Sequence, residues 1–216
     1  MDWNLAIQAA AAIGTLAAVG VALWGDWFRS VLAAPKLRIG LRDSEGELTV
    51  RNDGRHVRYY HLRVWSSRRW APATNVTVYI RLLEDQGPDG NWRRTMASGP
   101  IPLTWQFGAS TIPFIGQDRF CDLARVVQGQ DFRITTQFLP NNFAGMLTAP
   151  GRLRAQFVAV ADNAESPAIT IEFGWDGTWV EGAREMAGHL VVREVETNSA
   201  NRPLQPVVAG RGGVGQ

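Results

Sequence analysis

A mainly β fold, an antiparallel β-sandwich preceded by one N-terminal transmembrane α-helix, is the architecture this sequence predicts, and three observations carry it. The run from Leu5 to Trp24 contains no charged residue, and only Gln8 and Thr15 in it are polar. After Pro35 the apolar residues fall into short alternating runs separated by Gly, Asn and Asp, the pattern of strands and turns. A hydrophobic content of 45% over 216 residues supplies enough apolar material for one packed core. The expected organisation is an anchor at 1–28, a juxtamembrane linker at 29–36, a β-sandwich domain at 37–196 and a disordered tail at 197–216.

The apolar run comes first. At about 1.5 Å per residue, a helix of roughly 20 residues matches the bilayer core. Trp3 at one end and Trp24 and Trp27 at the other are the expected interface anchors. The leader MDWN has no cation and the apolar run is long, so a cleaved signal peptide is not the expectation. Arg29, Lys36, Arg38 and Arg42 follow the run and no cation precedes it, which places the N-terminus outside and the β domain on the cytoplasmic side of the inner membrane. Ala6, Ala10, Gly14, Ala18 and Ala22 recur every fourth residue, a small-residue stripe on which a second helix can pack closely. Self-association through that stripe is expected as a possibility, since an Ala-rich helix also produces such a stripe by composition.

The strands follow in order. KLRIGLR alternates Leu37, Ile39 and Leu41 with cations, DSEG turns the chain into ELTVRN, and Asn52 to Gly54 turns it again. Further strands are expected at Arg58–Trp65, Asn75–Leu83, Leu103–Phe107, Thr111–Ile115, Phe132–Phe138, Leu153–Ala161 and Ala168–Trp175. Gly87–Gly90, Asp162–Asn163 and Asp176–Gly177 carry the turn chemistry between them. A short helix is expected over Glu181–Ala187, leading into a last strand HLVVREVE. Beyond Glu196, Pro203, Pro206 and four glycines point to a disordered tail.

Charge is unevenly placed. All Lys and Arg but Lys36 are arginine, and from Arg29 to Arg69 ten of these cations stand against Asp43, Glu45, Glu47 and Asp53. From Asp162 to Glu196 eight acids stand against Arg184 and Arg193. The two regions either pair across one fold or present separate faces to partners. The single Cys121 excludes an internal disulfide.

No residue pattern nominates catalysis, a cofactor or a metal. Gly210, Gly212 and Gly215 match a dinucleotide fingerprint by letter, but the chain ends too soon after them for the helix that motif requires. His56, His61, His189 and Cys121 have no ligand spacing, and Asp162, Glu165 and Asp176 are most simply turn-forming carboxylates. A non-enzymatic protein is therefore expected, and nucleic acid is not the expected partner given the modest net charge of +2.

The densest functional signal is RYYHLRVWSSRRWAP, residues 58–72. Strand alternation puts Tyr60, Leu62 and Val64 in the core and turns Tyr59, His61, Arg63 and Trp65 outward. In NVTVYIRLL it buries Val76, Val78, Ile80 and Leu82 and turns Tyr79 and Arg81 outward. If the two strands pair, Tyr59, His61, Arg63, Trp65, Tyr79 and Arg81, with Arg68, Arg69 and Trp70 in the joining loop, form one surface of residue types enriched at binding hot spots. A protein partner, an anionic ligand and lipid headgroups all suit it, as does a cation–aromatic ladder that only stabilises the sheet.

The segment YYHLRVWSS…APATNVTVYI resembles the paired-strand pattern of immunoglobulin-like modules in bacterial envelope and membrane proteins, with Leu62, Val64, Ala73, Val76, Val78 and Ile80 in the matching apolar places. The Cys-Trp-Cys framework of antibody domains is absent. What the resemblance implies is a sandwich and a bias toward interaction. The expected function is thus a membrane-anchored interaction module that tethers partner binding at the membrane, with a sensor of an anionic ligand, nucleotide or nucleic acid, as the alternative and a hydrolase behind it.

Overall fold

The protein is described from a computed structural model covering residues 3–32, 34–68, 70–95, 100–139, 143 and 145–196, without the side chains of 5, 6, 9, 22, 23 and 26–32. The tail at 197–216, the glycines within it and Arg69 lie outside the described residues.

The N-terminal run is helical, but its helix α1 spans Trp3–Leu32, past Trp24 and into the first part of the 29–36 segment expected as linker. Ile7, Ile13, Leu16, Val19 and Val21 are all exposed, and at 3.6 residues per turn they sweep more than half the circumference. Thr15 donates its hydroxyl to the Ala11 carbonyl at 2.9 Å, so this polar group is satisfied within the helix. No described residue of α1 belongs to the core. Among the described residues, however, no helix is long and apolar enough to cross a membrane. The expected helix is present; the expected span is not supported.

The rest is two antiparallel sheets arranged as a sandwich. The first holds β1 (Leu37–Leu41), β2 (Glu47–Val50), β3 (His56–Ser66), β8 (Arg119–Val127), β9 (Phe132–Ile134) and β10 (Met146–Leu147). Its order is β1-β3-β8-β9-β10, with β2 sharing the edge of β3 that β1 occupies further along. The second holds β4 (Ala73–Gln86), β5 (Trp92–Arg94), β6 (Ile101–Pro102), β7 (Ile112–Ile115), β11 (Gly151–Ala161), β12 (Ala164–Glu165), β13 (Ile169–Trp175) and β14 (Leu190–Val195). The short helix α2 (Ala183–His189) leads into β14. Along one edge of β4 lie β7, β6 and β5 in turn; along the other lies β11, followed by β13 and β14.

Inner faces meet in one apolar core. Tyr60, Leu62, Val64, Leu123 and Phe132 come from the first sheet, and Val76, Val78, Ile80, Leu153, Phe157, Ile171 and Phe173 from the second. Phe132 and Phe173 touch across the interface with ring centroids 4.9 Å apart. The segment after β6 crosses between the sheets: Leu103 donates its N–H to the Val78 carbonyl at 2.9 Å, and Trp105 then bridges to Cys121 of β8. Trp105 is fully buried and donates its indole N–H back to the Val76 carbonyl at 3.2 Å, closing that side of the sandwich.

A second clamp sits at the opposite end. Arg58 is only 1% exposed, and its guanidinium donates to the carbonyls of Glu45 at 3.0 Å, Gly46 at 3.2 Å and Glu181. It thereby ties the β1–β2 turn to the loop before α2. Gly46 is obligatory in that turn, because at φ +68 a Cβ would stand 2.8 Å from the Tyr59 carbonyl oxygen.

Charges of the second sheet form a ladder on its outer face. The register sets Arg94, Glu84, Arg154, Glu172 and Arg193 side by side across five strands. Glu172, nearly buried, accepts from Arg154 at 3.3 Å and Arg193 at 3.0 Å. Between the regions read as basic and acidic, the His56 ring lies against the Glu181 carboxylate. Arg42, Arg55 and Arg63 are instead paired with Glu47, Asp53 and Asp118.

Candidate interaction surface

The two strands expected to pair do not pair. β3 lies in the first sheet and β4 in the second, so the surface drawn over both is broken into three parts. Tyr59 and His61 stack on the outer face of the first sheet with ring centroids 6.3 Å apart. His61 is buried there beside Asp122 at 3.2 Å, so it is not an outward contact residue. A bulge opposite Tyr60 and His61 brings these groups together by adding Leu123 to the facing strand. Tyr79 and Arg81 lie on the second sheet, where Arg81 is ion-paired with Glu165 at 2.6 Å. A second irregularity, at Arg81, makes Leu83 rather than Leu82 the buried residue.

The third part lies at the end of the fold next to α1. Arg63 packs over the Trp65 ring, 4.8 Å from its centroid, and pairs with Asp118 at 2.7 Å. Arg68 packs over Trp70 at 5.5 Å and donates to the Ala34 carbonyl at 3.1 Å, while Ser67 donates its N–H to the Lys36 carbonyl at 2.9 Å. The β3–β4 turn is thus held against the chain just beyond α1. Trp70 in that turn is 67% exposed and Phe114 of β7 is 62% exposed. Phe107 is 96% exposed and has φ +74, a conformation strained for a residue with a Cβ.

Phe107 and Phe114 border two hollows that share Phe114, Asp118 and Arg119. One of about 360 Å³ is lined by Phe107, Phe114, Arg119 and Phe120, and its wider neighbour by Phe114, Arg119, Arg63, Trp65 and Ser67. Among the described residues, Lys36, Arg38 and Arg119 have no carboxylate within ion-pair distance. The α1-proximal end therefore combines exposed rings with unbalanced cations. Phe107, Phe114 and Arg119 were not singled out from sequence, although WQFGAS contains the one available signal, a large aromatic directly before a glycine in a turn.

The remaining sequence candidates are scattered. Asp162 and Glu165 flank the turn between β11 and β12, whereas Asp176 follows the far end of β13, where His189 bonds it at 2.8 Å and holds its carboxyl below the usual range. Among the described residues no group of His, Cys, Asp and Glu could hold a metal ion. Cys121 is buried and burial pushes its thiol well up, so it is a poor nucleophile. Ala10, Gly14 and Ala18 of the small-residue stripe are exposed, as are Trp3 and Trp24; the side chains of Ala6, Ala22 and Trp27 lie outside the description.

At the end away from α1, a cleft of about 500 Å³ opens over Gly174 between Arg152 and Arg193. Arg152 faces Gly174 in the register, two pairs beyond the ladder and on the same face, and shares Glu172 only at 3.7 Å.

No protein-family model matches the chain, and no curated protein matches it in sequence.

Proposed function

We propose that this protein is a membrane-tethered, non-enzymatic binding module: α1 attaches the sandwich to a membrane and raises its effective concentration near membrane partners. The observation that carries this reading is α1, whose large aliphatic side chains face outward in most directions and have no place in the sandwich core. Apolar surface of that extent is stable where lipid or another apolar helix covers it. Arg29, Lys36, Arg38 and Arg42 beyond the apolar run favour the anionic cytoplasmic leaflet, which supports a sandwich on that side. The test is flotation of the full chain with lipid vesicles beside a chain lacking residues 1–25. The full chain is expected to float and the shortened chain to stay in solution with an unchanged melting temperature. Equal behaviour of the two would sink the reading.

The cleft over Gly174 favours a second reading, a sensor of an anionic ligand. Three guanidiniums surround the single carboxylate of Glu172, and Arg152 is the least satisfied of them. Titration with ATP is expected to give binding that weakens with salt and falls at least about tenfold in Arg152→Gln. Binding insensitive to both changes, or no binding, excludes the cleft.

A further inference from the structure

We propose that the α1-proximal end of the sandwich is itself a docking surface for an anionic lipid bilayer, so that the domain rests on the membrane instead of hanging from α1. This rests on the reading of α1 as the attachment element and adds a second contact to it. Three independent features meet at this end. Trp70, Phe107 and Phe114 project into solvent from the β3–β4 turn, the turn after Trp105, and β7. Each is large and apolar, and Phe107 also holds a strained backbone that gains nothing from internal packing. Aromatic side chains of this kind settle at the headgroup level of a bilayer, where a ring is shielded from water without losing polar neighbours.

The charges match the same occupant. Lys36, Arg38 and Arg119 have no carboxylate partner among the described residues, while Asp118 is ion-paired with Arg63 and Glu165 with Arg81; Asp162, hydrogen-bonded to the neutral Asn75 amide, keeps its charge. Glu194, beside Arg38, accepts from the Leu41 N–H at 3.4 Å. An outward surplus of cations around exposed rings suits anionic headgroups. Position supplies the third feature. Arg68 and Ser67 bond the residues directly beyond α1, so the chain that carries the membrane helix enters at this end. Attachment through α1 brings these rings to the bilayer surface without a long linker. Arg68 and Trp70 also form a packed pair already, which reduces the entropy lost on docking.

The experiment uses the full chain with one introduced cysteine, since Cys121 is buried and inert. Gln117→Cys, exposed in the turn after β7, is labelled with an environment-sensitive fluorophore, and Asn52→Cys, exposed in the β2–β3 turn at the opposite end, is the control. Vesicles contain phosphatidylcholine with phosphatidylglycerol, or phosphatidylcholine alone, each with a headgroup-depth quencher. In the anionic vesicles the label at 117 is expected to be quenched at least about twofold more than the label at 52. That excess should shrink in phosphatidylcholine alone and in the exposed-site variant Lys36→Glu, Arg38→Glu, Arg119→Glu, whose melting temperature should be unchanged. Flotation with equal quenching at both sites overturns the docking surface and leaves the α1 reading standing. Absence of flotation overturns both.

Discussion

Trp105→Ala is expected to destabilise the protein by about 3–5 kcal/mol, because it empties a large buried volume and removes a strap between the sheets. The indole is 1% exposed and its N–H donates to the Val76 carbonyl of β4, while its backbone bridges to Cys121 of β8. For a folded body of this size that loss corresponds to a fall of roughly 6–20 °C in melting temperature, readable by calorimetry. Trp105→Phe separates the contributions. It keeps most of the apolar contact and leaves one buried carbonyl unpaired, so about 1–2 kcal/mol is expected. The turn that presents Phe107 is closed by main-chain bonds, from the Gly108 N–H to the Trp105 carbonyl and from the Trp105 N–H to the Ala109 carbonyl, which alanine keeps. Vesicle docking of Trp105→Ala is therefore expected to be unchanged under conditions where the fold is intact. An unchanged melting temperature would show that the Trp105 indole contributes nothing to holding the two sheets together.

Arg58→Met is expected to cost about 3 kcal/mol, or roughly 6–12 °C, for a different reason. Methionine fills much of the same space, so cavity formation is minor. What is lost is the guanidinium that satisfies the carbonyls of Glu45, Gly46 and Glu181 from within the protein. Each of these part-buried carbonyls left without the guanidinium carries a penalty of up to about 1–3 kcal/mol, partly offset by hydration and by relief from holding the buried Arg58 charge. Arg58→Lys should fall between the two, since an ammonium is a point donor and cannot span three acceptors as a planar fork does. If Arg58→Met melts with the parent protein, the carbonyls are reached by water and the clamp is not structural. The same burial, despite nearby Arg58, pushes the Tyr60 hydroxyl far above its ordinary range, so this ring acts as core across the pH range in which the protein is handled.

Arg58 also shows why a basic cluster misleads when read along the chain. In RYYHLRVWSSRRWAP it looks like one more surface cation, yet its partners stand 12, 13 and 123 residues away and are all main-chain oxygens. His61 likewise alternates to the outer face, as expected, but Tyr59, Asp122 and Glu47 cover it. β8 was missed altogether. RFCDLARVV carries Asp122 and Arg125 on the outer face, an arginine at its start and a bulge in the middle, so it lacks a clean period of two although Gly116 and Gly129 flank it.

What the sequence determined by itself is what local chemistry controls. A run without charges formed a helix, the turns at Asn52–Gly54, Gly87–Gly90 and Asp176–Gly177 formed where glycine with positive φ was available, and Tyr60, Leu62, Val64, Val76, Val78 and Ile80 turned inward by strand alternation. The tertiary structure alone decided which sheet each strand entered. It separated β3 from β4, inserted β8 as the partner of β3, and shifted burial from Leu82 to Leu83 at the irregularity in β4. Strand pairing is set by burial of whole faces and by partners distant in the chain, quantities that no short window contains. For the same reason the candidate surface became legible only when folding brought Trp70, Phe107, Phe114 and Arg119 to the end beside α1.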